Sequence, residues 1–218
     1  MFKYFSKRIF IAIGSLFSIK PVLFINFIIN LIFKQLYSGW VKRQLNVSGK
    51  LFFTKKPFYI FNGKNIYIGE NFISGRRNRV ETFNYYNENS FSPRIEIGNN
   101  VLFNDDCHIA CINNIKIGND VLFASKIFIT DHFHGEISFK SIKQTPIDRN
   151  LTSKGKVDIG DNVWIGEGVC IMPNVSIGRN CIIGANSVVT KSFPEDCVIA
   201  GNPAKIISVM NEKAYKEI

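Results

Sequence analysis

Several things are missing from this chain of 218 residues, and each absence removes a class of protein. Its five cysteines show no paired spacing and no secretory cleavage pattern accompanies them, so free thiols in a reducing cytoplasm fit better than a disulfide framework. There is no Cys/His finger spacing and no basic helix followed by heptads, which leaves no nucleic-acid reader to recognise. Hydrophobic residues make up 46% and charged residues 20%, without the signature of a disordered chain. One main domain with appendages is expected at this length. Positive charge is plentiful. A formal net charge of +10 favours anionic company: a phosphorylated cofactor, an acidic glycan or a membrane surface.

Residues 1–46 form an N-terminal apolar segment distinct from the rest. Ile9 to Phe33 is nearly all apolar, flanked by Lys3, Lys7 and Arg8 and by Lys34, Lys42 and Arg43. Its length permits a membrane span. Lys20 and Pro21 at its centre argue instead for two short helices split at Pro21, since a charge and a broken hydrogen bond are costly in lipid. Residues 1–43 then make peripheral contact with a membrane surface, or pack on the main domain or a neighbouring subunit.

The rest of the chain repeats every six residues. IGNNVL, FNDDCH and IACINN run from Ile97. After a two-residue slip come IGNDVL, FASKIF and ITDHFH, and from Ile159 follow IGDNVW, IGEGVC, IMPNVS, IGRNCI, IGANSV and VTKSFP. An earlier IGENFI begins at Ile68. Each hexad opens on a large apolar residue and most carry a small or β-branched residue in fifth place. Such a period suits a coil with three flat faces, whose first and fifth positions point inward and whose corners are made by Gly and Asn. Its apolar rows are buried only by stacking turn on turn. The expected coil domain is 47–208, followed by a tail over 209–218.

Two stretches leave the repeat. The 42 residues from Ile117 to Ile159 are one 18-residue turn plus an excursion, an extruded loop over 135–158. Residues 74–94 form a second excursion rich in Arg, Tyr and Asn, fit either for ligand contact or for a plain surface loop. The first begins at TDHFHG, where Ile129 and Phe133 take the inward slots and His132 and His134 face out. Histidine's ordinary pKa near working pH suits a general base. Asp131 could orient such an imidazole, and so could a backbone carbonyl. His108 also faces outward. Trp164, in a sixth and outward place, needs a cover: the long loop, a second subunit or a ligand. Cys107 and Cys181 occupy inward fifth places and read as structural.

The hexads, with the ending VVTKSFPEDCVIAGNPAKII, resemble the hexapeptide-repeat acyltransferases over about residues 60–208. Within them the chain is most similar to the O-acetyltransferases of bacterial surface-polysaccharide and O-antigen synthesis. The resemblance implies an all-β fold, a left-handed parallel β-helix with an extruded loop, an N-terminal helical segment and a short C-terminal helix. It implies direct acetyl transfer from acetyl-CoA to a sugar hydroxyl, with His132 as base and no metal. Asn104, Asp105, Asp106, His108, Asp131, His134 and Trp164 fall on the acceptor side, Asp106 standing where some relatives carry a substrate-binding Asn. Trp164, Gly166, Ala185, Thr190, Lys191 and Lys205 match positions along the cofactor. Relatives are homotrimers with sites between coils, so a second chain is expected to complete the site. A cytoplasmic enzyme, working at the inner face of the cytoplasmic membrane, follows. Two alternatives stay open: an N-acetyltransferase of a nucleotide-linked amino sugar or antibiotic, and a zinc carbonic anhydrase-like enzyme using the three histidines.

Overall fold

A large apolar residue at every sixth position is buried only if the chain turns through three flat faces and stacks, and the computed structural model has this architecture. It describes residue 14 and residues 20–136, 138–139 and 141–210. Three parallel sheets form the faces of a β-helix. Face 1 begins at Asn46–Val47 and ends at Ser176–Ile177, face 2 begins at Phe52–Thr54, and face 3 runs from Phe58–Phe61 to Val188–Val189. Every first-place residue from Ile97 to Val189 is buried, as are the fifth-place Val101, Cys107, Val121, Val163, Val169, Val175 and Cys181. Inside face 2, Phe103 packs against Phe123 with rings tilted at 49° and centroids 4.2 Å apart, and meets Phe72 edge-on at 5.2 Å.

The corners follow one rule. Asn100, Asp106, Asp120, Lys126, Asn162, Asn174, Asn180 and Asn186, each fourth in its hexad, adopt left-handed backbone with φ between 56° and 64°. Asn and Asp tolerate this conformation better than other residues with a Cβ. The second-place glycines answer a different need. A Cβ on Gly118 would lie 2.7 Å from the carbonyl carbon of Gly160 in the next turn.

Three expectations are corrected. Residues 74–94 do not all leave the coil: Asn78–Thr82 is a face 3 strand, with Asn78, Val80 and Thr82 buried, and only residues 83–93 depart, as a hairpin pairing Tyr85–Tyr86 with Asn89–Ser90. Phe133 takes no inward slot. It joins His134 in an antiparallel pair with Leu151–Thr152, and the coil resumes at Val157, inside the stretch assigned to the loop. VTKSFP is not a full hexad. Phe193 pairs with Ile177, sixteen residues earlier, so Val189 to Ser192 makes a four-residue side. The expected split at Pro21 falls at the edge of the described residues: the helix Lys20–Lys42 includes Pro21, and residues 15–19, where an earlier helix would end, lie outside them.

That helix caps the open end of the coil. Val41 is fully buried in the core, Ser38 Oγ accepts from Thr54 N at 3.0 Å, and Tyr37 Oη accepts from Phe58 N at 2.7 Å. At the other end Ala204–Val209 is a strand antiparallel to Cys197–Gly201, and the tail from 211 that would hold a C-terminal helix lies outside the described residues.

Candidate active site

The corner rule fails twice, and both failures lie at the edge where face 3 passes to face 1. Ile112 and His132 hold the fourth place of their hexads without left-handed backbone. Between them Asp131, wholly buried, turns inward and replaces the corner with hydrogen bonds. Its Oδ1 accepts from Ile112 N at 2.9 Å and its Oδ2 from Asn113 N at 2.8 Å, while Cys111 Sγ lies 3.1 Å from Oδ2. Burial alone would raise its pKa. The imidazole of His132, the two N–H groups and the Cys111 thiol outweigh that and hold the carboxyl below its usual range. Burial and this neighbouring carboxylate push the Cys111 thiol up, so it stays protonated.

The same carboxylate orients His132. Asp131 Oδ1 is 3.0 Å from His132 Nδ1, and Thr130 Oγ1 is 3.1 Å from that nitrogen. An ionised partner places the ring proton on Nδ1 and leaves the lone pair on Nε2. Among the described residues nothing bonds Nε2, which is left as the free nitrogen of a side chain 9% exposed. Phe83 stands edge-on to the imidazole, 6.1 Å between centroids.

His108, two strands closer to the capped end than the Trp164 turn, is differently placed. Its Nε2 lies 3.0 Å from Glu81 Oε2 and its Nδ1 3.1 Å from an Arg79 guanidinium nitrogen. Burial first, then Arg79, lower its pKa. A neutral ring donating to Glu81 and accepting from Arg79 has no lone pair left for a substrate proton. His134 is exposed, with Nδ1 3.4 Å from Tyr86 Oη, whose hydroxyl donates to Ile147 O at 2.8 Å. The two hairpins are thereby tied together. A cavity of about 610 Å³ lies along the second, lined by Phe133, His134, Ile142, Arg149, Thr152 and Lys154.

The remaining expected residues are spread over the coil. Asn104, Asp105 and Asp106 form a corner at the opposite edge of face 3, where Arg77 takes Asp106 with Nε at 2.6 Å and a terminal nitrogen at 2.7 Å. Asp105 Oδ1 accepts from Arg76 N at 2.8 Å. That guanidinium holds the Asp106 carboxyl below its usual range. Gly166 and Ala185 stack on the same edge, and a Cβ on Gly166 would lie 2.6 Å from Ala185 N. Trp164 is on face 2 between Leu122 and Ile182, 51% exposed. Lys205 is on the last strand of face 2, opposite Ala200. Thr190 and Lys191, both exposed, return to the His132 edge. Within one chain, then, the two groups lie on either side of face 3.

Asp131, placed on the acceptor side and also named as a carboxylate able to orient an imidazole, is wholly buried with Oδ1 against His132 Nδ1, the geometry of the second reading. Arg79, Glu81 and Phe83 escaped the sequence reading, although all lie in the Arg- and Tyr-rich stretch. They reach the site because Arg79 and Glu81 pair with His108 and Ala110 across a 29-residue offset that no hexad count supplies. Among the described residues no cluster of three or more His, Cys, Asp or Glu is placed to hold a metal ion.

Comparison with known proteins bears on this geometry. Residues 156–191 match the model of the bacterial transferase hexapeptide (six repeats). The chain is 44% identical over 162 residues to WbbJ of Escherichia coli K12, assigned to lipopolysaccharide biosynthesis as an O-acetyl transferase, with 72% of this chain and 78% of that protein covered. The chain belongs to the hexapeptide-repeat acetyltransferases. As a member of this family it is an acyltransferase, and its three parallel sheets fit the family's left-handed β-helix. The solved maltose O-acetyltransferase of Clostridium difficile 630 is 30% identical with a TM-score of 0.55, covering 78% of this chain and 73% of that one. AntD, an N-acyltransferase of Bacillus cereus solved with coenzyme A and an amino sugar nucleotide, shares the fold at 20% identity. Its TM-score is 0.64, over 82% of this chain and 91% of that one.

Proposed function

We propose that this hexapeptide-repeat acetyltransferase moves the acetyl group of acetyl-CoA to a hydroxyl of a bacterial surface-polysaccharide sugar, with His132 as general base. The observation that carries the mechanism is the Asp131–His132 pair, 3.0 Å between Oδ1 and Nδ1, with Nε2 unbonded among the described residues. Nε2 takes the proton of the acceptor hydroxyl as its oxygen attacks the thioester carbonyl, and returns it to the departing thiolate. The buried carboxylate stabilises the imidazolium between these two events. The acceptor assignment rests on the relatives, since WbbJ and the maltose enzyme are both named for O-acetyl transfer to sugars or their polymers.

The separation of the candidate residues supports a trimer. A second coil laid against face 3 would bring Trp164, Gly166 and Ala185 of one chain toward His132 of another, enclosing the pantetheine arm. Lys191 and Lys205 would then meet the phosphates of the nucleotide as point charges. His134 and the hairpin cavity beside it would receive the acceptor, with His108 fixing the wall through Glu81. The reaction needs no metal ion and takes place in the cytoplasm, where residues 1–43 bring the enzyme to the inner membrane face.

Acetyl transfer from acetyl-CoA to a panel of surface glycans and their precursors tests this, wild type beside His132→Ala. Transfer by the wild type is expected, with its loss in the variant while calorimetric binding of acetyl-CoA persists. Transfer at the wild-type rate by His132→Ala overturns the base; no transfer to any glycan overturns the acceptor.

A further inference from the structure

The helix Lys20–Lys42 is attached to the coil by its last turns alone. Ser38 and Val41 are buried, yet the apolar residues of Leu23–Leu36 stand clear of the protein, and only 6% of the 18-residue apolar window is buried. Leu23, Phe24 and Ile25, then Phe27, Ile28 and Ile29, then Leu31, Ile32 and Phe33 are all exposed. Three successive residues cover most of a helix's circumference, so apolar surface wraps more than half of this segment and leaves one narrow polar stripe, Asn26, Asn30 and Lys34 at four-residue spacing. At about 1.5 Å per residue the 21 residues from Val22 to Lys42 measure about 31 Å, the thickness of a hydrocarbon core.

Charge identifies the occupant. Residues 1–69, the N-terminal segment and the first turn of the coil, hold eleven Lys and Arg and no Asp or Glu. The other 149 residues hold sixteen against seventeen. The whole excess of positive charge therefore lies in the N-terminal third of the sequence. Arg43, Lys50, Lys55, Lys56 and Lys64 are all exposed where the helix joins the coil. Apolar length followed by a basic collar fits an anionic bilayer, with the coil on the cytoplasmic side.

The register then places the active site. On face 3, three strand-to-strand steps separate Phe58–Phe61 in the capping turn from Phe128–Thr130, which presents His132. At about 4.8 Å per step His132 lies about 14 Å along the coil axis from that end, within reach of a few sugar units standing on a lipid. Resting on the proposed acetyl transfer to a glycan, we infer that the helix Lys20–Lys42 is embedded in an anionic bilayer and that the acceptor is a glycan carried on a membrane lipid, not a soluble sugar nucleotide.

The full-length chain is floated with vesicles of phosphatidylethanolamine and phosphatidylglycerol, then washed with alkaline carbonate. The same oligosaccharide is offered free and tethered to lipid in those vesicles, at equal bulk concentration. The expected result is flotation that survives the wash, with tethered glycan acetylated faster by about tenfold or more, as surface confinement raises effective concentration. F24Q/F27Q/I28Q/F33Q is expected to remain in the soluble fraction and lose the preference while still acetylating free glycan. Equal rates on the two acceptors overturn the acceptor class. Wild-type protein that stays unfloated, or forms lipid-free assemblies that the quadruple variant disperses, overturns the bilayer in favour of a second copy. Flotation reads the anchor even if neither glycan is acetylated, which separates its failure from that of the transferase reading.

Discussion

The two edges of face 3 are built from the same hexads and end differently. At the edge shared with face 2, Arg77, Asp106, Lys126, Gly168 and Asn186 all take left-handed backbone, turn after turn. Their side chains are spent on the ladder: Arg77 on Asp106, and Lys126 on Glu167 at 2.9 Å. At the edge shared with face 1 the corner is abandoned at Ile112 and at His132, and two hairpins leave the coil there. A regular corner satisfies itself with local backbone and leaves no side chain free to move a proton. An irregular one must find partners for freed N–H groups, and a buried Asp131 that does this also holds an imidazole.

That contrast predicts that substitutions at the irregular edge act on proton transfer, while those of the paired corner side chains at the regular edge leave it intact. The largest effect is expected for His132→Ala, a loss of about 10²–10⁴-fold in kcat at constant fold, measured by steady-state acetyl transfer. Next comes Asp131→Asn. It keeps the size of the side chain and removes the charge, and is expected to lower kcat about 10–100-fold with little change in KM. The same variant should change stability with pH. The native carboxyl is depressed, so its contribution is present above the unfolded pKa and is lost as pH falls through the native value. Wild type should therefore lose stability more steeply below about pH 4 than Asp131→Asn, in thermal melts across pH; parallel curves would remove the carboxylate from this role.

His108→Gln comes third, raising the acceptor KM several-fold with kcat nearly intact, because its nitrogens already serve Glu81 and Arg79. A collapse of kcat equal to that of His132→Ala would make His108 a second base. The smallest effect is expected for Asp106→Asn, since Asn holds left-handed corners elsewhere in the coil and the lost ion pair is at the surface. Melting and transfer should both match wild type within error. As a control for the scaffold itself, Ile115→Ala in the buried row should cost about 2–5 kcal/mol in denaturant unfolding.

Much of this was legible one residue at a time. The inward rows, the structural Cys107 and Cys181, and the outward placement of His132 and His134 follow from counting in sixes. Counting failed where the number of residues per side changed. The four-residue side from Val189 to Ser192 and the strand Asn78–Thr82 carry apolar residues in a rhythm that no fixed period describes.

The sequence by itself determined the three-faced coil, because an apolar residue every sixth place has one economical way to be buried, and it marked His132 by the break in that period. The tertiary structure alone decided what His132 could do. Asp131 is its neighbour in sequence whatever the fold. The carboxylate turns inward to Ile112 and Asn113, leaving Nε2 as the free nitrogen, because the chain skips a corner there and the Ile112 N–H would otherwise be buried without a partner.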